Sequence, residues 1–421
     1  MKKTGKIFVS LLLLVALTLN TTGCTVTSLD TAIKATDLMS EVKPQNVTGK
    51  ASDNNFKENM ANFSMELFKK SLEEKENTLI SPLSMTLALS MTANGADNET
   101  KKQIEALLGG DISIDELNEY LYSYVKGLPS EEKSKLGIAN SIWFRDEEGR
   151  LEVKPDFLQK NADYYGASIY SSAFDDQTLK DINNWVSTNT DGMIDKILDK
   201  IDGDAVLFLI NAIVFDAQWQ NVYEKNDVYE GNFTSINGTT QRVEFMSSGE
   251  YQYPDDGKAT GFIKPYAGDA YSFIALLPNE DISLESYIAS LSGTGFLRTL
   301  ENVEHGFVST SMPKFEFEYG KEMNKILADL GMSDAFDSDS ADFSKMAASS
   351  NGDIYIGKVL HKTYISVDEL GTKAGAVTSV EMKDATGPYV ERSVILNRPF
   401  AFMIIDNSTN LPIFMGTVLT V

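Results

Sequence analysis

The stretch "DELGTKAGAVTSVEMKDATGPYVERSV", residues 368–394, starts like a β-strand but continues too long for one. Residues 371–379 are almost all Gly, Thr, Ala, Ser and Val, so the large hydrophobic side chains that normally hold a strand in a sheet are missing. Further on, the stretch becomes charged and contains Gly387 and Pro388, a composition typical of a loop. The stretch therefore combines small side chains that suit a strand with polar residues that suit a loop.

Side chains alternate along the same stretch. One face carries compact, uncharged residues: Thr372, Ala374, Ala376, Thr378, Val380 and Met382. Lys373, Glu381 and Lys383 fall on the other face. Because successive strand residues point to opposite faces, the uncharged face is suited to the inside of a sheet. An ordinary edge strand of small residues explains the alternation equally well, but it does not explain the length.

Composition limits the rest of the molecule. The chain has 421 residues, of which 42% are hydrophobic and 10% aromatic, enough for a large buried core. The 61 acidic side chains exceed the 37 basic ones and give a formal net charge of −24, which repels nucleic acid. Composition therefore argues against a nucleic-acid partner.

Residues 1–24 have the pattern of an export signal. Lys2, Lys3 and Lys6 precede an apolar run, residues 7–19, that is too short for a comfortable membrane span and fits a secretory signal. We therefore expect an extracellular protein. Residues 25–53 are polar and rich in small side chains, which predicts a flexible tether in front of a folded body.

Cys24 is the only cysteine, so no internal disulfide can form. At this position it resembles the acylated residue of a bacterial lipoprotein, which would anchor the protein in a membrane at the cell surface. The alternative is a cysteine that is removed with the signal, because Thr21 stands where such lipoprotein signals usually carry Leu.

The remaining residues, 54–421, contain no second linker or repeat, and we predict a single domain. Helical periodicity marks residues 55–75, 81–96 and 99–109, with Phe56, Met60, Phe63, Met65 and Leu67 near one face of the first helix. Strand-like runs follow at 205–219, 271–278, 305–319, 355–369, 400–407 and 413–421. Helices in the first half and strands in the second predict an α+β fold with large antiparallel or mixed sheets.

Known enzyme patterns are missing from the sequence. Its two histidines, His305 and His361, exclude a histidine-rich metal site, and a Ser-His-Asp triad could use only one of them. No G-x-S-x-G occurs. The segment "GDIYIGKV" from Gly352 lacks the final hydroxyl residue of a phosphate-binding loop and is followed by a strand pattern, not a helix. We expect neither an enzyme nor a cofactor.

Several segments together resemble the serpins, a family of large single-domain protease inhibitors. In chain order they are "NTLISPLSMTLALSMTANGADNETKKQI", "LINAIVFDAQWQNVY", "MPKFEFEY" with "LGMSDAF" and "ADFSKM", "IGKVLHKTYISVDELGTKAGA" and "NRPFAFMIIDNSTNLPIFMGTV". They resemble the family's early helix, a central strand, a further typical block, the strand that leads into the mobile loop, and the C-terminal hairpin. The resemblance covers about residues 54–421 in the correct order.

The resemblance implies a large central sheet, further sheets, a helical layer and an exposed reactive-centre loop at about 369–394. It also implies roles for single residues. Those that resemble the polar cluster beneath the parting of the central strands are Ser81, Ser84, Asn211 and His361, and Trp219 resembles the aromatic residue at the upper opening of the sheet. A buried histidine or a strand tryptophan is also an ordinary core feature. His305 is expected at the surface.

The mechanism that the resemblance implies is suicide inhibition of a serine protease. The protease attacks the loop, forms an acyl-enzyme, and is carried away when the severed loop inserts as a new strand. The hinge of that movement would be Glu369, Gly371, Thr372, Ala374, Ala376 and Thr378. Gly371 would give the backbone freedom at the bend before insertion. The resemblance implies no cofactor.

The bond that serves as bait follows from a count. Inhibitory members of the family place about sixteen residues between the hinge glutamate and the residue before the cleaved bond, which from Glu369 gives Ala385–Thr386. A shorter distal segment would move the bond towards Pro388. A small alanine suits elastase-like or subtilisin-like proteases, whereas Lys383 or Arg392 would serve a trypsin-like enzyme only after a shift of the bond.

Three functions remain open from the sequence. The first is an inhibitory serpin that acts as a monomer. The second is a non-inhibitory serpin that acts as a binding or carrier module; Gly375, where relatives often have Ala, and Asp384 are mild departures in its favour. The third is an extracellular hydrolase, against which the missing nucleophile and base argue.

Overall fold

The structure, a computed structural model, describes residues 32–146, 151–203, 205–350, 354–372 and 392–421. The predicted reactive bond and Cys24 are among the residues that lie outside the described part. Within it, no helix is long and apolar enough to cross a membrane.

Helices are concentrated in the first half of the described chain, as predicted. Their bounds are α1 Asn54–Ser71, α2 Pro82–Ala93, α3 Asn98–Gly109, α4 Ile114–Gly127, α5 Pro155–Tyr165, α6 Asp176–Asn189, α7 Leu284–Ser290, α8 Gly293–Glu301 and α9 Asn324–Asp329. Asp53, Ser81, Ser113 and Asp175 precede four of them and accept a hydrogen bond from a backbone N–H two or three residues further on. These side chains explain where the helices begin.

The apolar stripe predicted for α1 is confirmed, because Phe56, Met60, Phe63, Met65 and Leu67 are all buried. In α2 every residue is buried. A helix that is buried on all sides needs no amphipathic pattern, and α2 accordingly packs between strands of two different sheets.

Strands dominate the second half. Their bounds are β1 Thr36–Asp37, β2 Thr78–Ile80, β3 Ser134–Arg145, β4 Leu151–Val153, β5 Ser168–Ser172, β6 Leu207–Gln218, β7 Val228–Thr234, β8 Thr240–Tyr253, β9 Ala259–Pro265, β10 Tyr271–Pro278, β11 Glu304–Pro313, β12 Phe315–Glu322, β13 Ala347–Ser349, β14 Lys358–Val367, β15 Gly371–Thr372, β16 Arg392–Ile395, β17 Phe400–Asp406 and β18 Pro412–Val418.

These strands form three main sheets in the described residues. The large sheet has seven strands in the order β1, β5, β3, β6, β15, β14, β12 and is mixed, since β3 with β5 and β6 with β14 run parallel. The second sheet has the order β2, β18, β17, β10, β9, and the third β16, β11, β8, β7. The predicted α+β fold with a large central mixed sheet is confirmed.

Aromatic side chains join the large sheet to the second sheet. Trp219, directly after β6, stacks on Tyr266 with ring centres 4.5 Å apart and meets Phe273 of β10 edge-on. Phe273 in turn stacks on Phe402 of β17. Such ring contacts stabilise beyond the area they bury. They fix the end of β6 against the second sheet.

Residues 33–53 differ from the predicted flexible tether. Asp181, buried on α6, accepts hydrogen bonds from the backbone N–H groups of Lys34 and Ala35 at 2.9 and 2.8 Å. The next residues pair with β5 as strand β1, and Lys50 N–H donates to Glu119 O of α4. Polar, small-sided composition suggested a linker, but the free edge of β5 and a buried carboxylate, both distant in sequence, bind this segment.

Candidate functional site

The large sheet is parted between β6 and β14. The two strands run parallel and pair from Phe208–Ile213 to Lys358–Thr363, a contact that we call the seam. Beyond the seam, β15 lies between their far ends, where Thr372 pairs with both Ala217 and Val367. No described strand fills the space between residues 214–216 and 364–366. The sheet is therefore open between the seam and β15.

A buried polar cluster holds the seam closed. This seam cluster consists of Ser81, Ser84, Asn140, Asn211 and His361. His361 Nδ1 donates to Asn211 Oδ1, and its Nε2 accepts from Ser81 N–H at 3.1 Å. Asn211 Nδ2 donates to Ser84 Oγ and, at 2.6 Å, to Asn140 Oδ1. The four residues predicted here from the resemblance are brought together, and Asn140 joins them.

His361 is held neutral in this cluster. Burial lowers its pKa from 6.5 to about 3. A protonated ring would also turn Nε2 from an acceptor into a donor that faces the N–H of Ser81. Asn211 and His361 are direct partners across the seam. The hydrogen bond between them therefore exists only while β6 and β14 are neighbours.

The turn at residues 368–371 leads from β14 into β15. Asp368 Oδ1 accepts from the backbone N–H groups of Leu370 and Gly371 at 2.8 and 3.1 Å, which stabilises the turn. Three backbone carbonyls of this hinge turn accept hydrogen bonds from outside: Asp368 from Trp219 Nε1, Glu369 from Tyr223 N–H, and Leu370 from Trp219 N–H. Each is 2.9 Å long.

We call Trp219, Tyr223 and Tyr266 the hinge cradle. Trp219 lies at the opening of the sheet, where the resemblance places it, and it is fully buried. Tyr266 stacks on its ring and reaches Thr372, with 2.5 Å between the two hydroxyl oxygens. Thr372 is only 2% exposed. The cradle thus binds the hinge turn and the first residues of β15.

Gly371 lies where β15 approaches β6 closely. Its φ is not in the left-handed region. A Cβ at this position would lie 2.1 Å from the carbonyl oxygen of Ala217, because the backbone of β15 approaches that of β6 closely. The glycine therefore permits a close approach of two strands, and its freedom to bend during insertion stays a prediction.

Glu369 is ion-paired on the surface of the hinge turn. Its carboxylate lies 2.8 Å from Lys314 Nζ, which also contacts Glu244 at 3.2 Å. The hydrogen bond from Lys314 lowers the pKa of Glu369. The pair is part-exposed, so we expect a modest contribution to stability.

The rest of the predicted hinge and the bait stay predictions. Ala374, Ala376, Thr378, Ala385 and Thr386 lie outside the described residues.

Arg392 is the first residue that the structure describes after Thr372, and it lies in a strand. It pairs with Val308 of β11 at the start of β16. Its guanidinium forms an ion pair with Glu304 and lies over the ring of Tyr253, 5.0 Å from the ring centre. A protease pocket could take this side chain only after both contacts were broken.

His361 is not arranged as the base of a Ser-His-Asp triad among the described residues. Both ring nitrogens of His361 are engaged with Asn211 and a backbone N–H, and no carboxylate orients the ring. His305 is exposed, as expected. In the described ranges no group of three or more His, Cys, Asp or Glu is placed to hold a metal.

Sequence reasoning missed the polar and charged residues that only the fold assembles. Asn140 lies in β3, and Tyr266 follows β9. Lys264 of β9 and Glu250 of β8 form an ion pair beside the hinge cradle. The sequence signal for this pair is a charged residue inside an otherwise apolar strand, "GFIKPY", which usually indicates an exposed position.

A large mixed sheet with further sheets and a helical layer is the architecture of the serpins. The chain belongs to the serpin family: the family model "Serpin (serine protease inhibitor)" matches residues 58–421. Serpin B4 of Homo sapiens is 30% identical over 390 residues, which cover 86% of this chain and 98% of that protein. The predicted family is confirmed.

Solved serpin structures resemble the fold of this chain. The native state of tengpin, a thermophilic serpin, has a TM-score of 0.89 at 56% identity and covers 92% of this chain and 100% of its own. Its latent state scores 0.80 at 57% identity, covering 89% and 100%. Human thyroxine-binding globulin complexed with its hormone scores 0.77 at 24% identity, covering 87% and 98%, which shows the shared fold alone.

Proposed function

We propose that this serpin inhibits serine proteases as a suicide substrate. The protease cleaves the loop after β15 and becomes acylated, and the released loop then inserts between β6 and β14. The observation that carries the proposal is Thr372, which already occupies a strand position between Ala217 and Val367 at the open end of the sheet. The TM-score is higher to native than to latent tengpin, which supports a native-like starting state for the proposed mechanism.

The register of β15 predicts where inserted residues would go. Thr372 opposes Ala217 on one side and Val367 on the other. Continued antiparallel pairing would bring Thr378, six residues on, between Asn211 and His361 at the seam. Its hydroxyl could then bond to groups that now bond to each other, which would compensate for opening the seam cluster.

Insertion must break the seam before it can finish. Neighbouring strands lie about 4.8 Å apart, so a strand placed between β6 and β14 would double the separation of Asn211 and His361. Their hydrogen bond cannot survive that. The seam cluster is therefore a barrier that keeps the uninserted state in place, and a completed sheet lies lower in free energy.

Insertion would also move the protease. The roughly fourteen residues from Thr372 to Ala385 would extend over about 45 Å as a strand. A protease joined to Ala385 would be carried that distance, and its catalytic geometry would be disturbed before water could release it. The preferred targets are subtilisin-like or elastase-like enzymes, because alanine fills a small pocket.

One experiment separates an inhibitor from the two other functions left open by the sequence. The purified protein is mixed with a subtilisin-type protease, and the products are separated in SDS. An inhibitor gives a covalent band of the summed mass, whereas a carrier or a hydrolase gives none. Limited cleavage of the loop should in addition raise the Tm of an inhibitor, because the freed strand completes the sheet. An unchanged Tm together with a missing band would favour the carrier.

Export and anchoring belong to the same proposal. The charged and apolar pattern of residues 1–24 supports secretion, and acylation of Cys24 would keep a monomeric inhibitor at the outer cell surface. Labelling cells with a radioactive fatty acid tests this directly. The wild-type protein should take up label, and Cys24→Ser should not.

A further inference from the structure

A buried ion pair lies directly behind the hinge cradle. Lys264 Nζ is 2.8 Å from Glu250 Oε1, and the two side chains are 2% and 7% exposed. Charges are seldom buried in this way, because removal from water costs more than a single partner returns. Apolar side chains of similar shape are often no less stable. The pair therefore needs an explanation other than stability.

The surroundings of Lys264 indicate that explanation. Its ammonium group lies 4.3 Å from the ring centre of Tyr223 and 5.6 Å from that of Trp219. Aromatic faces attract cations, and the attraction grows when water is excluded. Glu250 is fixed in turn, since Ser248 Oγ donates to it at 2.6 Å and also contacts Thr310 Oγ1 at 3.0 Å.

The two rings that contact Lys264 belong to the residues that bind the hinge turn. Trp219 donates to the carbonyls of Asp368 and Leu370, and Tyr223 donates to that of Glu369. Gln220 lies between Trp219 and Tyr223 in the sequence. Its backbone N–H donates to the carbonyl oxygen of Pro265, the residue that follows Lys264. A continuous set of contacts thus runs from Glu250 through Lys264 and the cradle to the hinge turn.

We propose that Lys264 and Glu250 are positioning residues for loop insertion. The pair fixes the rings of Trp219 and Tyr223, and with them the Trp219 Nε1 that binds Asp368 and the backbone N–H groups of both residues that bind Leu370 and Glu369. In this way β15 is held as the first two residues of the strand to be inserted. With the cradle loosened, the hinge would start insertion late, and more of the acylated protease would escape by hydrolysis. The role in trapping rests on the proposed inhibitory function; the role in holding the hinge does not.

The test uses the double variant Lys264→Met/Glu250→Gln, which removes both charges and nearly keeps both shapes. Its matched control is Lys321→Met/Glu73→Gln, which removes an ion pair that has no contact with the cradle. Lys264→Arg keeps the cation and serves as the conservative variant. Each protein is titrated against a subtilisin-type protease to find how many inhibitor molecules are consumed for each protease trapped.

We expect the double variant to consume at least threefold more inhibitor per trapped protease than the wild type, the control variant or Lys264→Arg. Hydrogen exchange gives a second readout that needs no protease. The amides of Trp219 and Tyr223, which donate to the hinge turn, should exchange at least tenfold faster in the double variant alone.

The outcomes separate the two proposals. If the wild type traps no protease but the two amides exchange faster, the inhibitory function fails and the hinge role stands. Unchanged exchange with an unchanged consumption ratio overturns the positioning role. So does a lower Tm without either effect, because it would leave the pair with a purely structural role.

Discussion

The indole nitrogen of Trp219 donates a 2.9 Å hydrogen bond to the carbonyl oxygen of Asp368. Trp219 directly follows β6, and Asp368 directly follows β14. The two strands that part beyond the seam are thus joined again at their ends. The opening in the sheet is closed at both ends, by the seam cluster below and by the hinge turn above, and in the proposed mechanism insertion would start from the upper end.

Thr372→Arg should convert the inhibitor into a substrate. The Thr372 side chain is buried beside Tyr266, and a guanidinium there would have to lose its hydration or push β15 out of the sheet. We expect cleavage of the loop without an SDS-stable complex. Thr372→Val is the matched control, since it loses one hydrogen bond worth about 1 kcal/mol but keeps the volume. A stable complex with Thr372→Arg would disprove burial of this position during insertion.

Thr378→Asp tests the register at the seam. Continued pairing from β15 would place this side chain between Asn211 and His361. Burial there disfavours both a carboxylate and the protonated imidazole that could neutralise it, so the buried charge costs free energy. We expect the gain in Tm after loop cleavage to shrink by more than half, while Thr378→Ser keeps it. Calorimetry of each variant before and after cleavage measures the gain in Tm. Equal gains for Asp and Ser would mean that another residue reaches the seam.

His361 should stay neutral well below its usual range. In a His305→Gln variant it is the only histidine, so its ring resonances can be followed by NMR without overlap. With a pKa of about 3 they should not titrate between pH 8 and 4.5. A titration midpoint above pH 5 would contradict the neutral, doubly hydrogen-bonded ring.

The lowered pKa of His361 also makes the free energy of unfolding depend on pH. Between about pH 6.5 and pH 3 the unfolded chain binds a proton at His361 that the folded protein does not bind. The free energy of unfolding should therefore fall by up to about 1.4 kcal/mol for each pH unit below 6.5. Above pH 6.5 the group contributes no pH dependence. Urea unfolding of the wild type and of His361→Gln, compared at pH 7 and 5, measures the difference.

Trypsin should not cut after Arg392 in the folded protein. The side chain is bound by Glu304 and Tyr253, and its backbone pairs with β11. Mass spectrometry after brief digestion should find no fragment that begins at Ser393. In Glu304→Ala/Tyr253→Ala that fragment should appear. Its presence in the wild-type digest would restore Arg392 as a candidate bait.

The bait itself is predicted to be Ala385. The peptide released from a complex with a subtilisin- or elastase-like protease should begin at Thr386. Ala385→Arg should transfer inhibition to trypsin-like enzymes, because this side chain fills the primary pocket of the protease. Release of a peptide that begins at Asp384 would move the bait to Lys383, and one that begins at Tyr389 would indicate the shorter distal segment.

The sequence predicted those parts of the fold whose side-chain pattern is local. The stripe of α1 follows from helical periodicity, because this helix buries one face. The apolar runs of β6, β10, β17 and β18 mark strands that are buried on both faces. Strand β3 was not predicted. Its first half is only partly buried and carries Gly137 and Asn140, so no apolar alternation marks it.

The candidate site was predictable only through resemblance. Ser81, Asn211 and His361 are polar residues in apolar segments, and nothing local indicates that they meet. The Lys264–Glu250 pair could not be predicted at all, since a charged residue in a strand normally faces water. Its burial depends on the third sheet covering β9, which is a property of the assembled fold. The prediction of a flexible tether was wrong for the same reason, because the residues that bind this segment, Asp181 and strand β5, are distant from it in the sequence.

The seam cluster joins parts of the chain that are made at very different times. Ser81 and His361 are 280 positions apart, and β2 pairs with β18 at the end of the chain. A nascent polypeptide that emerges N-terminus first holds α2 and β2 without their partners until the last strands have followed. Contacts of such long range form slowly and leave apolar surface uncovered meanwhile. Loss of β18 alone should therefore leave β2 and β17 without their common partner and the second sheet incomplete, whatever the state of the helices.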